Sequence, residues 1–284
     1  MNPKKLLSLF GLKWNPFIPG IPTEALFSTP AIESFCARVE GMTREGGFAL
    51  VTGPPGIGKS VTLRILAHRL ALLPEITVGI LTRPQSGLAD FYREMGEVFG
   101  VELSPHNRWG GFKVLREKWK AFADTSLFKP VLIVDEAQET PACVLSELRV
   151  LIAGAFDVDT YLTVVLAGDN RLVDHFRKPE LLPLGSRIRT RLVLDYSSKE
   201  ELLQILQFAL KEAGNSNLLG KNLMYTLVDH AGGNCRVLMT MAGELLMAAC
   251  EREITQIDEK LFFEVFESRA PRGKRKTKTK GSRG

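Results

Sequence analysis

Through the first two thirds of the chain, short apolar runs alternate with longer amphipathic ones; beyond Ser197 only amphipathic runs remain. The apolar runs predict strands over Phe48–Thr52, Ile76–Leu81, Val131–Val134 and Tyr161–Ala167, with a short fifth inside Leu184–Leu194. Four consecutive aliphatic residues from Val131 to Val134 point to a strand covered on both faces, as in parallel sheets. Between the strands, helical patterns occupy residues 31–45, 60–73, 88–100, 112–126, 143–156 and 171–177. Ser28, Thr29 and Pro30 mark the first helix start, and Gly46 and Gly47 its end. A polar loop is expected over Thr82–Ser86 and a turn over Ser104–Gly111. Helices alone follow, over 198–214, 221–232, 234–253 and 258–269. Strand alternating with helix, then helices alone, predicts an α/β domain with a parallel sheet and a small C-terminal helical lid. The expected division is a Pro-interrupted lead-in (1–30), the α/β domain (31–196), the lid (197–268) and a tail (269–284). The prolines of the lead-in exclude a long helix there.

Residues 53–60, Gly-Pro-Pro-Gly-Ile-Gly-Lys-Ser, fill every fixed position of the phosphate-binding loop and lie between a strand and a helix, as that loop requires. Gly53, Gly56 and Gly58 permit backbone turns closed to other residues and bring N–H groups towards phosphate oxygens. Pro54, Pro55 and Ile57 complete the loop, and Val61 continues into the helix, whose Leu63, Leu66 and Leu70 form one apolar stripe. The helix points its positive end at the same anion. Lys59 can reach the β- and γ-phosphates of ATP, and the Ser60 hydroxyl can ligate Mg²⁺. Asp135 and Glu136 follow the Val131–Val134 run, at the carboxyl end of a strand, where open α/β sheets bind ligands. The natural roles are Asp135 on Mg²⁺ and Glu136 polarising the attacking water. Asp169 or Asn170, after the fourth strand, could reach the same water or the γ-phosphate. Arg187, Arg189 and Arg191 share one face if extended, and one of them can serve as an arginine finger from a neighbouring subunit. Arg236 opens a lid helix and can touch the nucleotide from there.

Composition narrows the class. The chain has 284 residues, 45% hydrophobic and 24% charged, with no apolar run long enough to cross a membrane. The N-terminal pattern does not predict a signal peptide. Four scattered cysteines match no metal spacing and predict reduced thiols of a cytoplasmic protein. The net charge of +5 is uneven. Eight Lys and Arg fall after Ser268 with no acid among them, whereas the rest of the chain sets 29 basic residues against 32 acidic ones. Such a tail predicts disorder and affinity for nucleic-acid phosphates. Arg83, Arg108 and Lys113, near strand-end loops, are candidate contacts to duplex DNA.

The order and spacing of these motifs, over residues 25–268, resemble AAA+ ATPases. Four segments are similar to one group within them: Phe10–Phe17, the Asp-Glu-Ala-Gln of residues 135–138, Leu166–Leu172 and Ser186–Arg191. That group holds ExeA-type secretion ATPases and the TnsC, TniB, MuB and IstB types of transposition helper. The resemblance implies Walker A roles for Lys59 and Ser60 and Walker B roles for Asp135 and Glu136. It further implies sensor 1 at Asp169 or Asn170, the finger at Arg187 and sensor 2 at Arg236. Many relatives carry Gln or Thr where Asp169 stands, which leaves Asn170 as the alternative. The resemblance also implies an ATPase that assembles with ATP and Mg²⁺ into rings or filaments on duplex DNA and recruits a transposase, sometimes through a targeting protein. The chain stops soon after the lid and lacks a membrane span, which favours the transposition role over the secretion role. A DNA-binding ATP switch with little turnover is a further alternative.

Overall fold

The computed structural model describes residues 3–102, 107–154 and 159–266. Five strands form one parallel sheet in the order β2-β3-β4-β1-β5. They are β1 (Gly47–Thr52), β2 (Val78–Leu81), β3 (Val131–Val134), β4 (Thr163–Gly168) and β5 (Ile188–Val193). Every residue of β1, β3 and β4 is buried, as expected of strands covered on both faces. The edge strands differ. Ile80 of β2 is half exposed, and Arg189, Arg191 and Val193 of β5 face outward while Thr190 and Leu192 face in.

The period of two sorts the strand side chains between two cores. Phe48, Leu50, Leu132, Val134, Val164 and Leu166 pack with α4 (Leu88–Phe99), α5 (Arg108–Thr125) and α6 (Ala142–Ile152). Ala49, Val51, Val131, Ile133, Val165 and Ala167 meet α2 (Pro30–Met42) and α3 (Lys59–Ala71) on the other face. The stripe Leu63, Leu66 and Leu70 is buried in this second core. Short helices α7 (Asn170–His175) and α8 (Leu182–Gly185) connect β4 to β5. A third core belongs to α9 (Lys199–Ala213), α10 (Lys221–Ala231), α11 (Cys235–Glu251) and α12 (Glu259–Phe266).

The lead-in joins this third core. Helix α1 (Pro3–Phe10) has Pro3 at its first position and no proline inside, and it stops before Gly11, whose φ is 62°. Leu6, Phe10, Leu12 and Phe17 are buried among the lid helices. Asn215 donates to the Phe10 carbonyl at 2.8 Å. The lead-in then crosses to α3, where the Arg64 guanidinium donates to the carbonyls of Pro19 and Ile21, both at 2.6 Å. Lead-in, lid and phosphate-loop helix are therefore in contact.

Several boundaries differ from the sequence expectation. Helix α5 starts at Arg108, inside the expected turn, because Asn107 caps it by accepting from the Gly110 amide at 2.8 Å. Gly111 serves packing there: a Cβ would lie 3.1 Å from the Tyr92 ring on α4. Helix α6 ends at Ile152, four residues early, where Ala153 turns extended and bridges to Thr160. Strands β2 and β4 each start two residues late. Arg189 and Arg191 lie within β5, and only Arg187 precedes it. The basic tail lies outside the described residues, as does the end of the expected lid. Among the described residues, no helix is long and apolar enough to cross a membrane.

If the lead-in is part of the lid core, truncating it there must destabilise the fold. Phe10 is 3% exposed, and Phe10→Ala is expected to cost about 3 kcal/mol, read as a lower urea midpoint at unchanged slope.

Candidate nucleotide site

Register places the site. Thr52 pairs with Gly168, and Val134 pairs with Leu166. Three neighbouring strands thus end within a residue or two of one level, which brings Gly53, Asp135 and Asp169 to one edge of the sheet.

The loop is shaped by its carbonyls. The Lys59 ammonium, 7% exposed, donates to the carbonyls of Gly53 and Pro54 at 2.8 and 2.9 Å. Asn234 of the lid donates to the Pro55 carbonyl at 3.0 Å, and the Arg236 amide to the Gly56 carbonyl at 2.9 Å. Four successive carbonyls are turned to donors on one side, so the amides of residues 56–60 are left for an anion. Gly56 has φ 85°, and a Cβ there would sit 2.5 Å from the Asn234 side-chain oxygen. Gly53 is held as tightly, with a Cβ only 2.3 Å from the Leu194 carbonyl. Ile57 is buried beside it, and Val61, the third residue of α3, is partly buried against the second core. Helix α3 starts at Lys59 with Gly58 as its left-handed cap.

The Ser60 hydroxyl donates to Asp135 Oδ2 at 2.9 Å. Adjacent ligands of an octahedral Mg²⁺, each at about 2.0–2.1 Å, are themselves about 2.9 Å apart. The two oxygens therefore fit one hexacoordinate cation, and both are hard donors of the type Mg²⁺ takes. Glu136 is exposed beside them, with left-handed backbone at φ 51° and ψ 39°. Its Oε2 accepts from Gln138 Nε2 at 2.5 Å, and Gln138 Oε1 accepts from the Asp169 amide at 3.2 Å.

The two sensor candidates differ in their surroundings. The Asp169 carboxylate caps α7, accepts from the Arg171 amide at 2.9 Å and pairs with the Arg171 guanidinium at 2.8 Å. Arg171 is also bound to Glu139 at 2.9 Å. The hydrogen bond from Arg171 holds the Asp169 carboxyl below the usual carboxylate range. Asn170, the first residue of α7, stands exposed at the same edge.

The arginines lie elsewhere. β5 runs parallel to β1 with Ile188 beside Phe48. Arg187 therefore sits at the far end of the sheet, about 16 Å down the strand from the end that carries the loop. Its guanidinium donates to the Pro183 carbonyl at 2.5 Å. Arg189 pairs with Glu45 at 2.7 Å, and Arg191 donates to the Gly185 carbonyl at 3.1 Å. Arg236 meets the loop through its backbone, and its side chain is exposed. Asn234 was not singled out from sequence, although an Asn after two glycines and before a helical run is a cap signal.

Arg83 is exposed two residues past the end of β2, at the same sheet edge as Asp135. Lys113 lies on α5, 3.8 Å from Glu117. Arg108 opens that helix, and its side chain lies outside the described residues. The outer face of α5 is aromatic and basic. Trp109 is 74% exposed and stacks on Phe112, and Arg116 lies over the rings of Phe112 and Tyr161 at 5.2 and 5.4 Å. With Lys113, Glu117 and Lys120 these residues line a surface hollow of about 270 Å³.

Sheet order, loop, paired acids and a lid seated on the loop define the α/β P-loop fold of AAA+ ATPases. Comparison with known proteins agrees. Residues 42–176 match the family described as AAA domain. General secretion pathway protein A of Aeromonas hydrophila is 29% identical over 248 residues, covering 86% of this chain and 44% of that protein. The chain thus spans less than half the length of that curated relative. Among solved structures, Cdc6p from Pyrobaculum aerophilum superposes with TM-score 0.69 at 17% identity, over 85% of this chain and 67% of that one. The Aeropyrum pernix ORC1 protein, solved in complex with DNA, gives TM-score 0.66 at 15% identity, over 89% and 68%. At such identities these structures speak for the fold.

Two outcomes are expected here. Asn234→Ala removes the α11 cap and one lid–loop bond, costing about 1 kcal/mol, with faster amide exchange at Arg236 and Val237. Asp169 has a depressed pKa in the folded state, so its contribution is present above about pH 4 and disappears as pH falls below that. The urea-midpoint gap between wild type and Asp169→Ala should therefore narrow on acidification through that range.

Proposed function

We propose that the protein is an ATP-hydrolysing switch that assembles on duplex DNA and recruits a transposase there. The observation that carries the ATPase part is the Ser60–Asp135 contact beside Lys59 and Glu136. The residues divide the work. The loop amides and Lys59 hold the phosphates, with Ser60 and Asp135 placed for Mg²⁺. Held there by Ser60 and Asp135, the ion would offset the negative charge of the phosphates. Glu136 polarises the water, and Asn170 reads the γ-phosphate, since Arg171 already occupies the Asp169 carboxylate. Arg187, at the far end of the sheet, would serve the site of an adjoining copy, which makes turnover depend on a ring or filament. Arg236 would report the nucleotide to the lid.

The DNA part is supported by the basic, aromatic face of α5 and by Arg83. Phosphate contacts of this type bind without sequence preference and weaken with salt. The transposase part rests on the motif resemblance, and a targeting protein could lie upstream of it. A second reading, an ATPase of a secretion apparatus, is favoured by the relative named for general secretion.

The test is electron microscopy of the purified protein with a non-hydrolysable ATP analogue and long duplex. Ordered assemblies that need both are expected; lone particles throughout would sink the DNA reading and leave the secretion reading. Glu136→Gln should lower turnover at least about 100-fold while assembly persists, and Lys59→Ala should lose nucleotide binding. Lys113→Ala and Arg83→Ala should weaken assembly on DNA at unchanged nucleotide affinity.

A further inference from the structure

Gln138 has no part in the scheme above, yet its placement is closely determined. It is 6% exposed, and both ends of its amide are engaged. Nε2 donates to Glu136 Oε2, and Oε1 accepts from the Asp169 amide. The partners fix the amide orientation: flipped, it would set oxygen against a carboxylate and NH₂ against an N–H. The one-turn 3₁₀ segment Ala137–Glu139 folds the side chain back towards Glu136. Gly168 makes the room, because a Cβ there would lie 2.5 Å from Gln138 Oε1. Glu136 itself is one of the two described non-glycine residues with positive φ. Strained backbone that the surroundings hold in place is a mark of functional sites.

We infer that Gln138 is a positioning residue for hydrolysis, which aims the Glu136 carboxylate and ties it to the end of β4. The inference rests on the ATPase reading above. An exposed glutamate has three free torsions, and most of its rotamers point away from the phosphates. Anchoring Oε2 to a buried amide leaves Oε1 to take the water. Oε1 then accepts the water proton as the water oxygen bonds to the γ-phosphorus. The bond from that phosphorus to the β–γ bridging oxygen breaks, and its electron pair leaves on ADP. The other end of the amide holds the first backbone N–H beyond β4, next to Asn170. A shift of that strand end on contact with the γ-phosphate would move Gln138, and with it Glu136. One side chain thus couples γ-phosphate recognition to orientation of the base.

The experiment compares full-length wild type, Gln138→Leu, Glu136→Gln, the double variant and Gly168→Ala. Steady-state turnover is measured together with binding of a fluorescent ATP analogue. Gln138→Leu should lower kcat about 10- to 100-fold with KM and nucleotide affinity within about twofold. The double variant should fall no further than Glu136→Gln, because the tether has no function without the carboxylate. Gly168→Ala retains the glutamine but displaces its amide, so it should lower kcat in the same sense. It carries the test alone if Gln138→Leu does not fold. Wild-type kcat in the Gln138 and Gly168 variants overturns the inference. So does a Gln138→Leu loss that adds in full to Glu136→Gln, or one matched by lost nucleotide binding, since either marks a structural role. A wild type that binds but does not hydrolyse ATP sinks the ATPase reading, and this inference falls with it.

Discussion

The constraint on which the rest depends is the parallel register of β1, β3 and β4. Each is buried along its whole length, so its backbone groups must find partners in the neighbouring strands. A slip by one residue would break no hydrogen-bond rule but would exchange the side chains of the two cores. Phe48 and Leu50 would then meet α2 and α3, where Ala49 and Val51 now fit. Packing on both faces therefore fixes the level at which each strand ends. The phosphate loop, the acids and the Asp169–Asn170 corner share one edge for that reason.

Given that edge, the loop conformation follows from where its carbonyls go. Prolines at 54 and 55 remove two donors and restrict φ, which simplifies the loop's accounting. Lys59 covers two carbonyls, and the lid covers the next two. A phosphate entering the loop competes for the same ammonium, so Lys59 must exchange backbone acceptors for phosphate oxygens. The lid contacts need no such exchange. They hold the Pro55 and Gly56 peptides in an anion-ready orientation before any anion arrives.

Much of this was legible in the sequence, for identifiable reasons. The five strands, the loop and the acids all announce themselves by local pattern: Val131–Val134 is uniformly aliphatic, and residues 53–60 leave no fixed position unfilled. What escaped was set by contacts between distant residues. Gly110 and Gly111 look like a turn, but Asn107 caps a helix there and Gly111 lets α5 approach Tyr92. The lead-in reads as a Pro-interrupted stretch because of Pro16, Pro19 and Pro22, yet Phe10 and Phe17 reach a core built by helices some 190 residues later. The Asp-Glu-Ala-Gln segment stands out in the sequence, but nothing in its spacing says that its glutamine bridges two strand ends. Nor does the sequence show that Arg171 turns back two residues to pair with Asp169, its own helix cap, which leaves Asn170 exposed beside it.

The position of Arg187 carries a consequence for assembly. It lies at the opposite end of the sheet from the phosphate loop, and the strands between them are buried along their length. No side-chain rotation covers about 16 Å of strand, so within one copy the guanidinium cannot reach a γ-phosphate. If it takes part in catalysis at all, it does so in the site of another copy. The adjoining molecule must then present its strand-starting end to this molecule's strand-finishing end. Such a contact is heterologous, and heterologous contacts close into rings or continue as helices according to the rotation between copies. A two-fold dimer would not suffice unless both of its sites were completed at once. If Arg187 is the finger, its place in the fold therefore favours a head-to-tail contact between copies.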